Sequence, residues 1–301
     1  MNKRVSVILV VATMLVILGI AVLACTMIRL NWDFTALSTT KFETKTHILD
    51  RDFSRIAINT DTTDVRICLS EDGQGKLVVT QQENLSYRVQ VENGMLTVTM
   101  EDARKWYEHI SLFSFGESGI TLYLPKTDYE SLQVDISTGD VTVEEKLFIG
   151  DVYITTTTGD IRLEDLTADT IKLELSTGDI TVASVTCHKD VQIDSTTGDV
   201  YLYDLQCENL ITTGTTSDLT IKEGTAKAMV IRRSTGDVYF QNVDAGEISV
   251  EITTGDVSGS LRTDKIFNVQ TTTGDVNVPK SGTGGLCDIT TTTGDIHIHV
   301  S

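Results

Sequence analysis

The chain is short of positive charge, of proline, and of any spacing that would hold a zinc ion between cysteines or run a reaction. Lys and Arg number 24 against 43 Asp and Glu, a net charge of −19. That balance argues against nucleic acid, whose binding rests on Lys and Arg at phosphates, and against tight adsorption to an anionic lipid surface. Two prolines stand in 301 residues. Five cysteines include no C-x-x-C pair of the kind that suggests zinc. No Ser-His-Asp order, paired-carboxylate motif or phosphate loop stands out. Solenoid enzymes that cleave polysaccharides need clustered basic or acidic residues in a groove, and the irregular residues here do not cluster. The expectation is a protein that is not an enzyme.

What is present begins with a run of 24 uncharged residues, 5–28, long enough to span a bilayer. Lys3 and Arg4 precede it, and the positive-inside rule then puts residues 1–4 in the cytoplasm and everything after Arg29 outside. Val22-Leu23-Ala24-Cys25 loosely fits a lipoprotein cleavage site with Cys25 as the acylated residue. The apolar run exceeds a signal-peptide core and continues past Cys25, so an uncleaved anchor is the reading. Residues 29–50, polar and Thr-rich, read as a stalk.

From residue 126 onward one phrase recurs: Ser or Thr, then T-G-D, then an aliphatic residue. Its aspartates are Asp140, Asp160, Asp179, Asp199, Asp218, Asp237, Asp256, Asp275 and Asp295, always 19 or 20 residues apart. So fixed a period is the signature of stacked coils. Counting from each Asp as zero, positions +1 and +3 are apolar (Ile180/Val182, Val200/Leu202, Val238/Phe240), and so are −8 and −6 (Ile171/Leu173, Val191/Ile193, Phe267/Val269). This is the period-two pattern of strands with one buried face. Gly in the T-G-D corner supplies a backbone conformation that other residues resist. Position +8 is small in Ala168, Cys187, Cys207, Ala226 and Ala245, marking a narrow interior column. The fold class predicted is all-β: a parallel β-solenoid of about nine coils, one strand path per coil, with one transmembrane helix and an N-terminal β-rich cap over residues 51–125. Its cross-section, flattened or triangular, stays open. Within the cap, Asp61-Thr-Thr-Asp64 before Val65 and Ile67 is an imperfect early coil, and Glu92-Asn93-Gly94-Met95 reads as a hairpin turn. Residues 103–116 break the strand pattern and read as a loop packed over the cap or as an exposed aromatic contact site.

The Asp column is the sharpest candidate site. Carboxylates stacked at the coil spacing repel one another unless compensated. Backbone N–H groups of the turn and neighbouring Thr hydroxyls are one compensator. Calcium, which prefers several carboxylate oxygens, is the other, and would sit along Asp140, Asp160, Asp179, Asp199, Asp237, Asp256, Asp275 and Asp295. No other cofactor is expected. Thr fills position −2 in every coil, from Thr138 to Thr293, as a hydrogen-bonded ladder. Cys187 and Cys207, one coil apart, read as small core residues that could also reach a disulfide; Cys287 reads as core. His297 and His299 share a face of the last strand, a polar face or a pair able to hold a transition metal. One coil is degenerate: Ser217 replaces Gly before Asp218, Gly214 stands at −4, and Arg233 occupies −4 of the next coil, where Leu175 and Ile252 stand elsewhere. It is either drift or the one place where the ladder is a site.

Four features in this order, the N-terminal anchor, the stretch from Phe53 to Ile67 (F-x-x-I-x-I-x-x-x-x-x-D-V-x-I), the run from Tyr123 to Val134 (Y-L-P-K-x-x-Y-x-S-L-x-V) and the S-T-G-D-V repeats, make the chain resemble the bacterial putative-adhesin family of β-strand-repeat proteins. The resemblance covers most of the chain from Phe53. It implies a surface β-solenoid at the cell envelope, common in Gram-positive bacteria, with some relatives tied to envelope stress, and carries over no catalytic residues. The expected function is a membrane-anchored extracellular binding or scaffold module, its partner an envelope component or protein. The alternatives are a self-assembling solenoid, for which the strand ending at Val300 would offer a free edge, and a carbohydrate-active enzyme.

Overall fold

The computed structural model describes residues 3–32, 42–82, 85–102 and 118–301. A helix spans Lys3–Arg29, and its segment Leu9–Arg29 has a mean hydropathy of 2.7 and is exposed over nearly all its length, so it is long and apolar enough to cross a membrane. Among the described residues the strands join in one 23-stranded sheet wound into a β-solenoid of about eight turns. This is slightly fewer than the nine coils expected.

Like residues stack on like. Ile171, Leu173 and Leu175 pair in register with Val191, Ile193 and Ser195, and Ile180 and Val182 with Val200 and Leu202. Each coil sends three runs inward. In the coil of Asp179 these are Ile180/Val182, Val185/Cys187 and Val191/Ile193, all at most 3% exposed. Burying such a side chain is worth about 1.5–3 kcal/mol, and the repeat multiplies that along the rod. The corners are specified locally. Gly198 has φ +113°, and a methyl there would sit inside the carbonyl of Gly178, so close stacking of corners demands glycine. A second corner falls at +5, where Asp165, Ser184, Asp204, Glu223 and Asn242 all have φ between 49° and 55°. Sequence reading left this corner unplaced because no glycine marks it, although Asp and Asn tolerate the left-handed region better than most residues.

Both ends depart from simple winding. The strands Arg55–Thr62 and Asp64–Leu69, expected within the cap, form an internal coil. They pair with Met95–Asp102 and Gly119–Leu124 on one side and with Asp128–Thr138 and Val141–Val143 on the other. The cap is antiparallel: Leu85–Glu92 adds to Met95–Asp102, Lys76–Gln82 to Gly119–Leu124, and Phe42–Ile48 to Lys76–Gln82. Glu92-Asn93-Gly94-Met95 is the hairpin turn expected, with φ 50° at Asn93 and 74° at Gly94. Phe42–Ile48 corrects the reading of residues 29–50 as stalk throughout. This strand buries little, so its sequence carries no alternation. Residues 103–116 lie outside the described residues.

At the other end the coil of Asp295 does not lie outermost. Gly285–Thr293 and Ile296–Val300 insert between the coil of Asp256 and that of Asp275. The expectation of a free edge at the strand ending in Val300 is therefore corrected. Residues 278–284, with Pro279, Gly282 and Gly284, turn the chain back, and the exposed edge is Lys265–Thr273 with Val276–Asn277. There Ile266 and Val276 are 44% and 46% exposed, and Phe267 and Val269 are only partly covered.

Candidate functional site

The T-G-D corners build the first site candidate from backbone upward. The N–H of each Asp donates to Oδ1 of the Asp one coil below. The chain of bonds runs from Asp64 through Asp140, Asp160, Asp179, Asp199, Asp218, Asp237, Asp256 and Asp295 to Asp275, at 2.7–3.1 Å. One oxygen of every carboxylate but the last thus satisfies an amide that the corner leaves without a strand partner. Asp64 and Asp218 join the ladder on equal terms with the eight aspartates of the predicted calcium column. Calcium there would have to use the outer oxygens of carboxylates one coil apart. Among the described residues, no three His, Cys, Asp or Glu side chains converge as metal ligands. His297 and His299 face solvent across from Ser258 and Ser260.

The cysteines are free thiols. Cys187 donates to the Asp169 carbonyl at 3.1 Å, and burial pushes the Cys207 and Cys287 thiols up to about 12, which makes them poor nucleophiles.

The second candidate follows from the residues before each corner. A groove of about 670 Å³ runs over six coils, from that of Asp160 to that of Asp256, some 24 Å at about 4.8 Å per step. One wall is position −3, exposed Ser or Thr throughout: Thr157, Ser176, Thr196, Thr215, Ser234 and Thr253. The opposite wall, position −5, carries charge that is already paired. Glu174 meets Lys172 at 2.7 Å and accepts from Tyr153, Asp194 accepts from Gln192 and Thr213, and Glu251 faces Arg232 at 3.7 Å.

The floor is position −4. Most coils put an aliphatic residue or a small hydroxyl there, and the hydroxyls close on corner carbonyls, as Ser195 does on Gly198 at 3.3 Å. In the degenerate stretch the floor is Gly214 beside Arg233. The arginine is 3% exposed. Its Nη1 donates to the Arg232 carbonyl at 3.1 Å, while Nε and Nη2 have no partner. Desolvation pulls its pKa down to about 10, against the opposing field of Asp218. The sequence already marked Ser217, Gly214 and Arg233 as irregular. The stripe of hydroxyls around them was legible in the S/T-T-G-D phrase, but not that it walls a groove.

A stack of T-G-D coils tied by a carboxylate ladder defines the class, a parallel β-solenoid repeat protein. Within that class the chain belongs to the Toastrack DUF4097 family, whose profile matches residues 53–208 and 186–301. The solved structures it is similar to include two described as putative adhesins. The one from Parabacteroides distasonis ATCC 8503 is 12% identical with a TM-score of 0.55, and the one from Parabacteroides merdae ATCC 43184 is 14% identical with a TM-score of 0.54. Each alignment covers 87% of this chain and 98% of the other. At that identity they show the fold. No curated protein matches the chain.

Proposed function

We propose that the protein is a membrane-anchored, extracellular binding module of the cell envelope, held by an uncleaved N-terminal helix with its N-terminus in the cytoplasm. It takes an elongated, hydroxyl-rich ligand, a glycan of the envelope, into the groove at positions −5 to −3, and it binds without turnover. The observation that carries this reading is the groove: six coils of aligned hydroxyls beside paired carboxylates and arginine, open along the rod. An extended chain of sugars repeats at close to the coil spacing, so successive coils can offer the same hydrogen-bonding groups to successive sugars. The similarity to proteins described as putative adhesins agrees with binding rather than chemistry.

The test is binding of cellohexaose and chitohexaose by the full chain in detergent, measured by calorimetry. The original chain should bind at least one, and Thr196→Trp with Thr215→Trp, which fill the hydroxyl wall, should abolish binding while leaving the melting midpoint nearly unchanged. Equal binding by the filled variant would overturn the groove, and hydrolysis of the oligomers would overturn the absence of turnover. A second reading, self-assembly end to end, has the exposed Ile266 and Val276 edge in its favour. Light scattering over a concentration series tests it, and Ile266→Lys should abolish any concentration-dependent growth in mass.

A further inference from the structure

Among the described residues two cations lie buried in the rod, and they differ in one respect. Lys265, 3% exposed, reaches Asp244 at 3.4 Å and the Thr263 hydroxyl. Arg233, equally buried, has no carboxylate partner, and two of its nitrogens have no partner of any kind. A buried charge left in that condition is costly, and the carboxylates lining the groove are already engaged by Lys172, Gln192, Thr213 and Arg232. Gly214 is what admits the arginine: a Cβ at 214 would lie 2.6–2.9 Å from Arg233 Cδ, Nη1 and Cζ. The two positions pair in register, so the missing side chain of one coil makes room for the long side chain of the next. The Thr212 hydroxyl, fully buried two residues before Gly214 on the same inward face, is also without a partner. Every orphaned group on Arg233 is a donor, and Thr212 can donate as well. What is missing is an acceptor carrying negative charge.

We propose that the Gly214–Arg233 notch is an anion subsite in the floor of the groove, which receives one carboxylate or phosphate substituent of the bound chain. The inference rests on the groove reading above and adds the chemistry that the groove selects. The unpartnered Nε and Nη2 form one edge of the guanidinium fork, the edge that meets a carboxylate or phosphate through two parallel hydrogen bonds. In the free protein the arginine lies folded against Gly214. A turn about its side-chain torsions carries the fork past the glycine, which has no Cβ to obstruct it, into the groove between Thr215 and Arg232. Relief of an uncompensated buried charge then adds to the binding free energy. In a chain of net charge −19 this confines anion recognition to one point on the rod, and a ligand would be read by where along its length the anionic group falls.

The experiment compares the full chain in detergent with Arg233→Met, which keeps the length of the side chain and removes its charge, and with Gly214→Ala, which takes the space. Probes are cellohexaose (neutral), hexagalacturonate (one carboxylate per sugar) and inorganic phosphate, followed by calorimetry and by melting midpoint. The original chain should bind the acidic hexamer at least tenfold more tightly than the neutral one. Arg233→Met should lose that preference, binding the two hexamers alike, and its melting midpoint should rise, since replacing an unpaired buried charge by an apolar side chain of similar volume stabilises. Gly214→Ala should weaken the acidic hexamer in the same way. A preference retained in Arg233→Met, or none in the original chain while the neutral hexamer binds, would overturn the subsite and leave the groove standing. If neither hexamer binds but phosphate raises the midpoint of the original chain and not of Arg233→Met, the groove reading falls and the subsite survives. No response to any of the three probes overturns both.

Discussion

The middle of the rod and its last coil are built from the same phrase and live under different physics. Phe240, in the coil of Asp237, is covered on both sides and fully buried. Phe267, in the coil of Asp275, also faces the interior but has a neighbour on one side only and is only partly covered. The T-G-D corner is the same in both. A repeat unit therefore has no stability of its own: what an apolar residue is worth depends on how many coils flank it. The N-terminal end answers that problem with antiparallel strands laid over the stack, while the C-terminal end leaves an edge bare.

The largest expected effect that sharpens this comparison is at those two phenylalanines. Phe240→Ala should cost roughly 3–5 kcal/mol by denaturant unfolding, and Phe267→Ala about 1 kcal/mol; equal losses would mean that something covers the last coil. Next come the corners. Gly198→Ala forces a side chain into the carbonyl below at φ +113° and should cost upwards of about 2 kcal/mol. Gly94→Ala, in the cap hairpin where a Cβ meets nothing, should cost about 1–2 kcal/mol from its positive φ alone. The carboxylate ladder sets up a smaller contrast. Asp179→Ala orphans the amide of Asp199 and should cost about 1–3 kcal/mol. Asp275→Ala, at the end of the ladder where no amide bonds to it, should stay within about 0.5 kcal/mol of the original. The smallest effect is that of calcium. With one oxygen of each carboxylate below Asp275 already bonded to backbone, the melting midpoint should be the same in calcium and in chelator, and a calcium-dependent rise would reassign the column as an ion site.

The fold was legible because its information is local and repeated. Period-two apolar residues, a glycine at eight of the nine corners, and a 19–20 residue spacing say the same thing coil after coil. What escaped the sequence is what happens once. The insertion of the coil of Asp295 between two others depends on a single stretch, residues 278–284, and no periodicity reports an exchange of order between two coils that read alike. Phe42–Ile48 escaped because a strand that covers an edge and buries little carries no alternation. The second corner of each coil is the exception, since it recurs, but its place at +5 was not legible because Ser184 and Glu223 adopt a left-handed conformation that their side chains do not advertise. For the candidate site, Arg233 and Gly214 were each visible as a departure from their column. Their exchange of volume across one coil step was not, since it needs the register Gly214↔Arg233 to be known.

The tucked coils at both ends have a mechanical consequence. In a simple stack the outermost coil is also the terminal one in the chain, and tension on the chain would peel it away turn by turn. Here the strand ending at Val300 is clamped between Val257–Leu261 and Val276–Asn277, and Arg55–Thr62 between Met95–Asp102 and Asp128–Thr138. A pull at Ser301 loads the two ladders of the last strand together and in shear, whereas at the other end Phe42–Ile48, paired with Lys76–Gln82 alone, is loaded first. The rod behaves as a strap whose far end is folded under and stitched.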